Sequence, residues 1–287
     1  MSKLCPAYRN LLMGCVLLPL GACSGTASDA AGASANLAQG TPPIHVEQTI
    51  VFLKGGVPAV EANYREALAR CSAGPLPVQP LGPDMVGKLG RTRLDIHYEG
   101  ARMAVNADHW DFKSVEHPPT IGCAFGVVHT SRLTIVKPGA SIGIDLVKRA
   151  GTSEASPGVV RHAVPTAPSG GGDKLQAAVA AELAKQGQGD LMGQGAGSST
   201  GAGQPCMRGR STFGEFCVWS GGRQWGFVTD KAETNDRMDA PTDSITLWSK
   251  PADGNGYELT TQGMTVGTPI DGKVFEVPSG IAISKAN

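Results

Sequence analysis

The sequence predicts an α+β protein: a mostly antiparallel sheet with one helix packed on it, then a Gly-rich linker, then a small all-β domain. Three observations carry that expectation. Val60, Tyr64, Leu68 and Cys71 recur at the spacing of one helix face. Before and after that helix, short runs alternate apolar and polar residues, the period of a half-buried strand. Between 187 and 203 the chain is mostly Gly, Gln, Ser and Ala, too poor in large apolar side chains to build a core.

In chain order, Ile44, Val46 and the run 49–53 read as a first strand, broken by Lys54-Gly55-Gly56. Val57-Pro58 opens the helix, because proline is tolerated in a first turn. Glu61 with Arg65 and Glu66 with Arg70 fall four apart on its wet side, and Ser72-Ala73-Gly74-Pro75 stops it. A Pro-rich crossing over 75–83 and one helical turn over 84–89 follow. From 93 to 98, Leu94, Ile96 and Tyr98 face one way and Asp95 and His97 the other. Glu99-Gly100 turns this strand into a second one through Met103 and Val105. The runs 121–128, 132–136 and 141–147 give further strands, with turns at Thr130-Ser131 and Pro138-Gly139. These elements define a first domain, 44–149. The linker, 150–204, holds one helix over 174–185, capped by Asp173. The second domain, 205–287, begins with a hairpin of 215–219 and 223–228 around Ser220-Gly221-Gly222. It continues with strands over 244–248, 257–261, 273–277 and 281–283. Trp219, Trp225 and Phe227 supply its core, with Trp248 nearby; a unit of this size is marginal without a staple.

Composition excludes some partners. The chain has 25 Lys and Arg against 25 Asp and Glu, with no basic block, so nucleic acid is not an expected partner. Glycine, at 39 of 287, is well above the usual share of about 7% and gathers in the linkers.

The start of the chain carries an address. Lys3 and Arg9 form a basic tip, 11–20 is apolar, and Leu20-Gly21-Ala22-Cys23 ends it. Tip, apolar core and small residues before a cut are the three parts of a secretory signal. The apolar core is too short for a membrane-spanning helix, which needs about 20 residues. The last four residues resemble the lipobox of bacterial lipoproteins. The resemblance covers the leader alone and implies that residues 1–22 are a signal peptide, that signal peptidase II cuts before Cys23, and that lipid is attached to the Cys23 thiol. By the same resemblance, Ser24 implies the outer membrane, facing the periplasm. Residues 23–43, rich in Ser, Thr, Ala, Gly and Asn and closing in Thr41-Pro42-Pro43, read as a disordered tether. Its span is about 25 Å.

Seven cysteines are present. Cys5 and Cys15 belong to the leader and Cys23 to the lipid. The four others, Cys71, Cys123, Cys206 and Cys217, read as two disulfides in an exported chain. Three pairings are possible; Cys71–Cys123 with Cys206–Cys217 keeps each bridge inside one domain.

Few residues point to chemistry. Gly139-Ala140-Ser141-Ile142-Gly143 matches the nucleophile elbow of hydrolases, which needs a strand-to-helix turn and a histidine base such as His129. Here an alternating run follows the serine, so a plain turn is the simpler account. His97, His109, His117 and His129 share one stretch with the carboxylates of Asp108 and Asp111. None has helical or H-x-H ligand spacing, so no metal is expected. Asp230, Glu233, Asp236, Asp239 and Asp243 share a polar segment that lacks the glycine and the spacing of a calcium loop. No cofactor is expected. The functional expectation is a membrane-anchored envelope lipoprotein acting as a non-catalytic binding module, with an envelope or secreted protein as partner. The alternative is an envelope hydrolase using Ser141 with a histidine base, His109 and His129 being the other catalytic candidates.

Overall fold

Alternation of apolar and polar residues builds one continuous sheet. The computed structural model describes residues 36–75, 77–117, 120–163, 198–229 and 242–286. The leader with Cys23, the tether as far as residue 35, the helix expected over 174–185 and most of the acidic segment lie outside them. The first half contributes β1 (Ile44–Lys54), β2 (Val57–Pro58), helix α1 (Ala59–Ser72), the single turn α2 (Pro83–Val86), β3 (Arg91–Glu99), β4 (Arg102–His117), β5 (Thr120–Lys137), β6 (Ala140–Asp145) and β7 (Ala150–Glu154). The second half adds β8 (Ser198–Gly201), β9 (Gln204–Ser211), β10 (Gly214–Trp219), β11 (Thr246–Pro251), β12 (Gly256–Val266) and β13 (Ala282–Lys285). The order across the sheet is β13-β7-β6-β5-β4-β3-β1-β12-β11-β10-β9-β8, with β2 paired to β1. The β13–β7 pair is parallel, and the others are antiparallel.

The helix and the Glu99-Gly100 hairpin fall where the sequence places them; the expected fold class does not hold. No separate small all-β domain stands among the described residues. β12 pairs with β1 from Ile44↔Val266 to Leu53↔Gly256, so the second half extends the sheet of the first. β13 returns to its opposite edge. Burial is the reason. Trp219, Phe227, Ile245, Leu247 and Leu259 have too few large neighbours of their own, and they complete one core with Ile44, Val46, Ile50, Leu94, Ile96 and Tyr98. Buried Gln48 of β1 donates to the Thr246 carbonyl at 2.7 Å and to Thr261 Oγ1 at 3.1 Å, tying the two halves through polar atoms as well.

Smaller expectations also change. The strand expected over 273–277 is replaced by a 3-10 turn, Gly272–Phe275. The expected linker, 150–204, supplies β7 and β8 at its two ends. β5 is one strand with no turn at Thr130-Ser131. The hairpin in the second half joins β9 to β10, and 223–225 is a 3-10 turn, not a strand. Gly222 explains this: a Cβ there would lie 2.3 Å from the Trp219 ring, and the chain wraps that ring so closely that it leaves the sheet. Finally, 36–43, expected in the tether, is packed. Asn36 caps a 3-10 turn, Leu37–Gly40, and Ala38 is fully buried.

Those packed residues meet a buried node at Arg161. Its guanidinium bonds Thr41 Oγ1 at 2.7 Å and the Thr242 carbonyl, and it lies 3.8 Å over the Phe227 ring and 5.3 Å over that of Tyr98. Burial pushes Arg161 down to about 10, against the pull of Tyr98 and Asp243. Burial raises the Tyr98 phenol well above its ordinary range.

Candidate functional site

The two faces of the central strands differ. In β1, Ile44, Val46, Gln48 and Ile50 enter the core, so His45, Glu47 and Thr49 face the other way. In β3 the same alternation turns Arg93, Asp95 and His97 to that second face. In β4 it does so for Asn106, Asp108, Trp110 and Phe112. Both ends of this face are covered. At one end α1 places Tyr64 edge-on to Phe112, at 5.6 Å, and to Phe125, at 5.2 Å. At the other, the Arg102 guanidinium lies 4.4 Å over the ring of Phe275. Between the covers remains a polar hollow of about 310 Å³, whose lining includes Glu47, Thr49, Arg93, Asp95, Asn106 and Asp108.

Two histidine–carboxylate groups stand on this face. In the first, β1 and β3 put His45 directly opposite His97, and Glu47 opposite Asp95. The two imidazoles stack with centroids 4.5 Å apart and planes 7° from parallel. Both donate from Nε2 to the same Asp95 oxygen, His45 at 2.6 Å and His97 at 3.3 Å. The His97 hydrogen bond, helped by that of His45, holds the Asp95 carboxyl below its usual range although partial burial works the other way. In the second group, His129 Nε2 donates to Asp108 Oδ1 at 2.8 Å, and its ring stacks on Trp110 at 5.1 Å. Arg93 lies opposite Asp108 in the β3–β4 ladder. Two polar atoms here are buried with no partner: Asn106 Oδ1 and His97 Nδ1.

The other residues picked out by sequence are dispersed. Ser141 lies within β6, opposite Val136 and Glu154, in extended strand where a nucleophile elbow would need a strand-to-helix turn. His109 points to the core face and shares a 3.0 Å hydrogen bond with Thr92 Oγ1. Trp219 is buried, and Trp225 and Trp248 pack against the same core. Cys206 and Cys217 are bridged across the β9–β10 hairpin; closing so short a loop is worth about 2–3 kcal/mol. Cys71, near the end of α1, and Cys123, in β5, are neighbouring thiols joined by a hydrogen bond, which raises the Cys123 thiol above its ordinary value.

Sequence reasoning passed over His45 altogether. Its alternation with Ile44 and Val46 marks it as wet-face, yet only the β1–β3 register sets it against His97. No family model matches the chain, and no curated protein matches its sequence.

Proposed function

We infer that this is an envelope lipoprotein, held on the membrane by lipid at Cys23, whose sheet acts as a non-catalytic binding module. The polar hollow carries the binding part of this reading. It is floored by four paired strands, walled at both ends, and presents carboxylates, amides and a guanidinium together. Such a convergence of a few fixed polar groups in a concavity suits recognition. The lipobox-like Leu20-Gly21-Ala22-Cys23 supports the location. A secreted or envelope protein that offers a charged segment fits the hollow. Among the described residues no helix is long and apolar enough to cross a membrane, and lipid at Cys23 would supply the attachment.

Photo-crosslinking in the native envelope tests the binding surface. A photoreactive residue at Thr49 or Asn106 is expected to yield one discrete protein adduct, and the same residue at Val147, exposed and away from the hollow, none. Equal adducts from all three positions, or none from Thr49 and Asn106, would overturn the reading.

Export also predicts the state of the remaining thiols. In an oxidising compartment Cys71 and Cys123 pass two electrons and two protons to a thiol oxidant and form a second bridge. Alkylation of the native protein under denaturing conditions, followed by mass spectrometry, is expected to leave Cys71 and Cys123 unlabelled. Quantitative labelling of both would show that the chain never met such an oxidant.

A further inference from the structure

We propose that His45, Asp95 and His97 form a binding site for a divalent transition-metal ion of the zinc type, at the edge of the polar hollow that Asp95 lines. One donor atom from each residue lies within 4.8 Å of the other two. All three come from adjacent strands whose ladder fixes their backbones on one face, so only side-chain rotation separates the present arrangement from a ligating one.

The spacing is close to that of a loaded site. Zinc binds nitrogen at about 2.0–2.1 Å and carboxylate oxygen at about 2.0–2.2 Å, so tetrahedral donors sit about 3.3 Å apart. His97 Nε2 lies 3.3 Å and His45 Nε2 2.6 Å from Asp95 Oδ1; the two rings now stack 7° from parallel, so loading requires them to turn about their side-chain bonds until both Nε2 lone pairs aim at the ion. The ion would take the place of the two Nε2 protons that now point at one oxygen, and each neutral imidazole would carry its proton on Nδ1 instead. Each imidazole would then coordinate through Nε2.

Donor chemistry selects the class of ion. Two imidazoles with one carboxylate suit zinc and its first-row neighbours, whereas calcium and magnesium call for oxygen alone. Three protein donors leave a fourth position. Because all three stand on one face of the sheet, that position faces away from the sheet, where an exogenous carboxylate, imidazole or water could complete the shell. Two nearby polar atoms are buried without a partner. Asn106 lies opposite Asp95 in the β3–β4 ladder, and its buried Oδ1 has no donor; Nδ1 of His97 is likewise unpaired.

The site stands on the geometry of the hollow and depends neither on the lipid nor on a protein partner, so its failure would leave the crosslinking result untouched. The test is calorimetric titration of the untagged full-length protein, in detergent, with Zn²⁺ and with Co²⁺. One ion per chain is expected, with the visible absorption of four-coordinate cobalt. His45→Ala, Asp95→Asn and His97→Ala should each weaken binding about ten-fold or more, a loss of ligand costing at least as much as loss of a supporting contact. His162→Ala, on an exposed histidine elsewhere, should not. Should a variant misfold, ring-nitrogen NMR of the wild type still decides: Zn²⁺ must shift His45 and His97 and spare His162. No uptake at millimolar Zn²⁺ or Co²⁺, or uptake unchanged in His45→Ala/His97→Ala, overturns the proposal. The triad would then be a hydrogen-bonded clamp between β1 and β3.

Discussion

Replacing Trp219 with alanine is expected to lower stability by about 3–5 kcal/mol, and to lower it for both halves of the chain at once. Trp219 is 1% exposed, stacks on Trp225 at 6.1 Å, and meets Phe227 edge-on at 5.3 Å. Phe227 in turn meets Tyr98 edge-on at 5.6 Å, so the ring cluster bridges residues far apart in sequence. Urea denaturation followed by far-ultraviolet circular dichroism and by tryptophan fluorescence is the check. Coincident curves that shift together support one core. A second transition that alone moves in the variant, with the first half unaffected, would restore the independent β domain that the sequence suggested.

Arg161→Ala is expected to cost about 3 kcal/mol or more. The variant strands the Thr41 hydroxyl and the Thr242 carbonyl, and it leaves a void over the Phe227 and Tyr98 rings. Arg161→Met fills much of that void without the hydrogen bonds, so it should recover part of the loss. Thermal melting of the pair measures the split between packing and hydrogen bonding. The same node holds two groups with opposite effects at alkaline pH: Arg161, pushed down to about 10, loses its proton first in the folded chain and so favours folding as pH rises, whereas Tyr98 does the reverse. The folded pKa of Tyr98 lies above its ordinary value of 10.0, so the unfolded chain releases the phenolic proton first. The stability tied to that proton is complete below pH 10 and is lost as pH rises further. Tyr98→Phe removes that contribution and leaves the opposing one of Arg161, so the variant's stability relative to wild type should increase as pH rises above 10.

What the sequence revealed follows from the range of the forces involved. α1 was legible because Val60, Tyr64 and Leu68 repeat within one element, and the hairpin because Glu99-Gly100 turns the chain locally. The wet face of β3 was legible as well: alternation alone separates Asp95 and His97 from Leu94 and Ile96. The join between β1 and β12 was not, since nothing near Ile44 announces a partner at Val266. Thr130-Ser131 looked like a turn because its small polar residues match turn chemistry; in the folded chain they sit opposite His109 and Asp108 within an unbroken ladder. The candidate site failed for a related reason. Metal-ligand motifs are searched at helical or i,i+2 spacing, whereas here the register of β1 against β3 brings His45 to Asp95 and His97 across about 50 residues.

The hollow's place of work depends on the far end of the tether. Under the proposed anchoring, two acyl chains on Cys23 would hold the protein to a bilayer far more firmly than one. Intact-mass and N-terminal peptide analysis of protein isolated from its native membranes tests this most directly. The account requires a mature chain that begins at Cys23 and carries the added mass of lipid there. An unmodified Cys23 inside a longer N-terminal peptide would contradict it.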